Sequence, residues 1–157
     1  MSNQSYKELA IPHFKEVFDI LDEVLTRLEI PYYLVGVSAI ALKLLEEGIK
    51  PSRGTKDIDF AIMVSSRKEF DTVMDAMVAR GFNKVESPWT LYHPVLKTVI
   101  DLLPFGQIEQ NQRAGFHQRK VDLHVLGFQE VLENPERVAI EDKLIRIPPL
   151  AGMVLLK

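Results

Sequence analysis

Apolar positions along the chain mark out most of its elements. From Phe14 they recur at Val17, Phe18, Leu21, Val24, Leu25 and Leu28, the 3.6-residue spacing of one helix face. Pro31 closes that helix, and the unbroken run Tyr32-Tyr33-Leu34-Val35 predicts a buried strand. Gly36 ends the strand, and Ser38 is the expected cap of a short helix through Leu45. Gly48, Pro51 and Gly54 make 48–56 a loop. Asp57 to Val64 is the strongest strand pattern and stops at Ser65-Ser66. Phe70, Val73, Met74, Met77 and Val78 then form the inward face of another helix, with Gly81 at its C-terminal cap.

Lys97 to Leu103 predicts a further strand, after which Pro104 and Gly106 open a polar loop that runs to Gly115. Arg119 to Leu126 is the next expected strand, with Asp122 and His124 on one face. Val138-Ala139-Ile140, Glu141-Asp142-Lys143 and Leu144-Ile145-Arg146-Ile147 form a hairpin pattern. From Leu150 to Lys157 an amphipathic helix opens and stops; so short a helix rarely supports itself, and the expectation is a chain cut inside a longer C-terminal helix. Strands alternating with helices predict an α/β fold, with a small mixed sheet and helices packed mainly on one face. At 157 residues the length suits one domain spanning 1–157.

Composition narrows the function classes. With 46% apolar and 26% charged residues the chain is neither disordered nor collagen-like. It has no cysteine, which removes disulfides, thiolate zinc sites and a cysteine nucleophile. Lys+Arg of 19 against Asp+Glu of 22 gives a net charge of −3, so no bulk nucleic-acid or membrane binding is expected and any polyanion must meet a local basic patch. The apolar stretch Tyr32 to Leu45 is interrupted by Gly36, Ser38 and Lys43, and Met1 to Ala10 lacks a signal-peptide core. A soluble, cytoplasmic protein is expected.

The chemistry centres on Asp57-Ile58-Asp59-Phe60. Strand alternation puts both aspartates on one face, roughly 6.6–7 Å apart at the backbone. At an effective dielectric near 20, two carboxylates at that distance repel by about 2 kcal/mol, and aspartate is a poor strand former. Either both face water at a solvated strand start, or a divalent cation between them reverses the sign of the interaction. Hard oxygen ligands without cysteine favour Mg²⁺ or Mn²⁺. Upstream, Gly36 permits close backbone approach, and the helix start with the Ser38 hydroxyl can hold phosphate oxygens. Lys50, Arg53 and Lys56 place three cations just before the carboxylates, either a solvated loop or a triphosphate clamp. A phosphate site, a cationic loop and a carboxylate pair in sequence describe a metal–nucleotide site better than any one of them does. The four histidines, His13, His93, His117 and His124, have no metal-ligand spacing. Trp89, Tyr92 and Gln110 to Arg113 either pack or receive an acceptor.

Gly36-Val37-Ser38, Arg53-x-Thr55-x-Asp57-Ile58-Asp59-Phe60 and Val99-Ile100-Asp101-Leu102-Leu103 resemble the nucleotidyltransferase superfamily, the DNA polymerase beta-like fold. Leu34-Val35-Gly36, Arg53-Gly54-Thr55-Lys56 and Ile100 to Gly106 look most like its AbiEii/AbiGii toxin-like branch. The resemblance covers Tyr33 to Lys157. It implies an enzyme that moves a nucleoside monophosphate from ATP or another NTP to a hydroxyl of an RNA end, a protein or a small molecule, releasing pyrophosphate. It further implies two Mg²⁺ ions on Asp57, Asp59 and Asp101, with Gly36, Val37, Ser38, Arg53, Thr55 and Lys56 around the nucleotide. In such a site the metals activate the acceptor and hold the triphosphate. Asp122 competes with Asp101 for the third position. A cognate antitoxin is the partner this branch would imply. Val37 departs from the usual small residue, and the interval from Gly36 to Asp57 is long. Val37 and the expected cut inside the C-terminal helix leave open a nucleotide- or partner-binding module of the same fold without turnover.

Overall fold

A computed structural model describes residues 11–49, 57–106 and 136–148. The predicted loop cations, the polar loop after Gly106, the 119–126 strand with Asp122, and the final helix lie outside the described residues. The described elements run α1 (Phe14–Arg27), β1 (Tyr32–Val35), α2 (Gly36–Glu46), β2 (Asp57–Met63), α3 (Arg67–Val78), β3 (Asn83–Lys84), β4 (Thr90–His93), β5 (Thr98–Phe105), β6 (Glu136–Ile140) and β7 (Lys143–Ile147).

Helix α1 follows its apolar stripe: Phe14, Val17, Phe18, Leu21, Val24 and Leu25 are all buried. Helix α3 starts on a reciprocal cap. Ser66 Oγ accepts from the Glu69 amide at 3.1 Å, and Glu69 Oε1 accepts from the Ser65 amide at 2.8 Å, which satisfies one open donor of the first turn and one just ahead of the helix. Phe70, Val73, Met74 and Met77 point inward as expected, but Val78 is exposed, since it sits in the last turn and rotates off the core face. The C-terminal cap of α3 is Ala79, and Gly81, with φ of +105°, turns the chain two residues later.

Among the described residues five strands form one mixed sheet in the order β1-β2-β5-β4-β3, antiparallel except for the parallel pair β2 and β5. One face carries Tyr32, Leu34, Ile58, Phe60, Ile62, Leu91, Ile100 and Leu102 into the main core with the three helices. Phe18 links helix to sheet there, its ring 5.8 Å from Phe14 and 6.4 Å from Phe60. The β6–β7 hairpin adds Val138, Ile140, Ile145 and Ile147 to the same core. It is tied on by Lys43, which bridges Glu46 and Glu136 at 2.9 Å each, and by Arg146, 5.4 Å over the Tyr32 ring. The Tyr32 hydroxyl in turn donates to Asp22. Glu136 first, then Glu46, hold the Lys43 ammonium above the usual lysine pKa.

The opposite face has a smaller apolar group, Tyr33, Val35, Ala61 and Phe105 with Met63 and Leu103, where burial pushes the Tyr33 phenol up from its ordinary pKa. Strand β5 runs on through Pro104 and Phe105, past the point where a loop was expected. Strand β4 pairs β5 only as far as Asp101, so among the described residues β5 has no strand partner on that side near Pro104, a position where a residue without an N–H is tolerated. Among the described residues no helix is long and apolar enough to cross a membrane.

Candidate active site

The register of three strands sets two of the three candidate carboxylates, Asp59 and Asp101, side by side, and leaves Asp57 at the exposed start of β2 opposite Val99. Asp59 is the direct partner of Asp101 across the parallel β2–β5 pair, and of Val35 across the antiparallel β1–β2 pair. Alternation sends Ile58, Phe60 and Ile62 to the core, and hence Asp57, Asp59 and Asp101 to the other face. Asp57 is exposed at the start of β2, whereas Asp59 and Asp101 are half-buried. Neighbouring strands lie about 4.8 Å apart, so Asp59 and Asp101 are placed as like charges directly opposite, an arrangement that destabilises a sheet.

Val35 is also the last residue before α2, so the same register sets the start of that helix beside Asp59. Gly36 opens α2 with φ of +71°, and a Cβ built there would lie 2.5 Å from Asp59 Oδ2. The carboxylate therefore packs against a backbone surface that only glycine leaves open. Val35 holds the N-cap position with no side-chain cap. Ser38 does not cap the helix as expected: it is buried in the first turn, and its hydroxyl donates to the Val35 carbonyl at 3.1 Å. Val37 stands 62% exposed at the helix start. Arg53, Thr55 and Lys56 lie outside the described residues.

Two strands that the sequence pattern did not reveal, β3 and β4, complete the sheet. Strand β4 places Thr90 opposite Asp101, and Thr90 Oγ1 donates to Asp101 Oδ1 at 2.6 Å. Tyr92 shares this face, while Trp89 packs against the main core on the other. His93 is spent structurally, its Nδ1 accepting from the Leu96 amide at 3.1 Å and its ring edge-on to Phe82.

Among the described residues no three Asp, Glu, His or Cys side chains gather closely enough to hold a metal by themselves. The donor set nevertheless fits Mg²⁺, which keeps several waters and is usually held by one or two carboxylates plus substrate phosphates. Asp59 and Asp101 supply such a pair, beside a helix start suited to phosphate oxygens.

No protein-family model matches the chain, and no curated protein does. Among solved structures, it is similar to an antigenic nucleotidyltransferase-like protein from Paracoccidioides brasiliensis, with a TM-score of 0.54 and 20% identity over 96% of this chain. The fold is nucleotidyltransferase-like. Two further similarities are to a cytoplasmic RNA terminal U-transferase (TM-score 0.45, 15% identity, 82% of this chain) and to the Thermotoga maritima CCA-adding enzyme complexed with tRNA (TM-score 0.39, 20% identity, 66% of this chain). The chain spans 65%, 36% and 25% of these three proteins respectively.

Proposed function

We propose that the protein transfers a nucleoside monophosphate from an NTP to a hydroxyl acceptor. The observation that carries this reading is the register that sets Asp59 beside Asp101 on one strand face and against Gly36 at the start of α2. Carboxylates on directly opposite strand positions repel, and a cation held between them would reverse the sign of that interaction. Asp59 and Asp101 would hold Mg²⁺ (or Mn²⁺), joined by Asp57 once nucleotide phosphates bring a second ion. Such ions stabilise charge on the triphosphate and lower the pKa of the attacking hydroxyl.

The chain's own part is positioning. The backbone N–H groups at the start of α2 meet phosphate oxygens, because the macrodipole and unpaired amides favour negative charge there. Asp101 would accept the proton from the acceptor hydroxyl. Arg53, Thr55 and Lys56 are proposed as the triphosphate side of the site. The acceptor class, an RNA end, a protein or a small molecule, is open to assay. Membership of the AbiEii/AbiGii-like branch, and with it a cognate antitoxin, is proposed on the motifs at 34–36, 53–60 and 100–106.

The turnover test is transfer from α-labelled NTPs with Mg²⁺ to candidate acceptors, for wild type and Asp57→Asn. Loss of transfer with the fold intact supports the reading, and retained transfer sinks it. A second reading, nucleotide binding without turnover, draws on Ser38, whose hydroxyl is buried and bonded to Val35 rather than offered to a ligand. It predicts Mg²⁺-dependent NTP binding with no labelled product.

A further inference from the structure

Thr90 contributes to the site without being an acid or a base. Its main chain is fixed on both sides of the side chain. The Thr90 amide donates to the Ser87 carbonyl at 3.2 Å, and the Trp89 carbonyl accepts from the Leu102 amide at 2.8 Å. The next pair along is Leu91 with Ile100, both fully buried. A β-branched side chain on a fixed strand has little freedom at χ1, so its hydroxyl is a donor of set direction. The 2.6 Å distance to Asp101 Oδ1 lies in the range of a hydrogen bond to an ionised carboxylate. Among the described residues Asp101 Oδ2 makes no hydrogen bond. One oxygen of the carboxylate is thus anchored to β4, and the other is left for a ligand.

We propose that Thr90 is the positioning residue for Asp101: it locks the carboxylate plane through Oδ1 and so presents Oδ2 to a divalent cation shared with Asp59. This rests on the reading of Asp101 as a metal-binding carboxylate. Partners that orient a ligating carboxylate typically account for 10–100-fold in metal affinity. A merely structural role, tying β4 to β5, would instead be felt in stability, because the ladder already joins the two strands through Leu91 and Trp89.

The experiment measures Mn²⁺ affinity of the full chain by electron paramagnetic resonance, as loss of the free-ion signal, alongside thermal melts without metal. The variants are Thr90→Val, which keeps shape and strand propensity, Thr90→Ala as a second donor-free variant, Thr90→Ser, and Asp101→Asn. Asp101→Asn is expected to lose binding, and Thr90→Val and Thr90→Ala to weaken it about tenfold. Thr90→Ser, which restores the donor, is expected to return to wild-type affinity, although its melting point need not. Loss of binding in Asp101→Asn with wild-type affinity in both donor-free variants would overturn the role of Thr90 and leave the site standing. Wild-type affinity in Asp101→Asn would overturn the metal site and the inference with it.

Discussion

Replacing Gly36 by alanine probes the junction on which the site depends. Two costs can be read from the geometry. A residue with a Cβ at a φ of +71° loses about 1–2 kcal/mol relative to glycine. The new methyl would also stand 2.5 Å from Asp59 Oδ2, and since that atom ends a short rotatable side chain, the carboxylate turns away at a further cost of about 1 kcal/mol. The sum, roughly 2–3 kcal/mol, lowers the melting temperature by about 4–12 °C in a domain of this size. Chemical denaturation of wild type, Gly36→Ala, Asp59→Ala and the double variant separates the two parts. The backbone cost persists in the Asp59→Ala background, whereas the contact cost disappears, leaving a coupling of about 1 kcal/mol. Mg²⁺-dependent nucleotide affinity should fall in Gly36→Ala even where the protein remains folded, because Asp59 has been displaced. An equal cost of Gly36→Ala in both backgrounds would refute the packing of Asp59 against Gly36.

Asp101→Asn removes one of two facing like charges and keeps an acceptor for Thr90. Denaturation without metal should show it about 1 kcal/mol more stable than wild type, with transfer activity lost; a destabilised variant would contradict the repulsion. Lys43→Met breaks the bridge from α2 to the hairpin. The pair is partly exposed, so the loss is about 0.5–1 kcal/mol after solvent screening. Because Glu136 and Glu46 raise the folded-state pKa, the contribution is complete below the unfolded value of about 10.4 and fades only as pH rises through the folded one. Melts between pH 6 and 9 should therefore show a constant difference.

The elements most legible in the sequence are those whose pattern is local. The stripe from Phe14 to Leu25 and the apolar run of β1 predict their elements closely, as do the alternation of β2 and the hairpin at 136–147. Strands β3 and β4 are different. Asn83–Lys84 has two residues, and Thr90–His93 sits between Pro88-Trp89 and Pro94, where turn signals outweigh a four-residue strand pattern. What makes β4 a strand is its pairing with β5, a long-range fact. The Thr90 contact was hidden for the same reason, since nothing local sets a threonine opposite an aspartate eleven residues away. The local pattern makes Ser38 a cap because a serine near a helix start usually accepts from the backbone; the helix in fact starts two residues earlier, at Gly36, and the hydroxyl donates backwards to the Val35 carbonyl. The pairing of Asp59 with Asp101 required both strands to be recognised and their parallel order to be known.

The most direct test of the central claim is calorimetric titration of each NTP into the purified protein, with Mg²⁺ and with EDTA, for wild type and Asp59→Asn. The account predicts binding of at least one NTP that requires both Mg²⁺ and Asp59. Binding that survives EDTA or the loss of the Asp59 carboxylate, or no binding of any NTP to a folded chain, would contradict it.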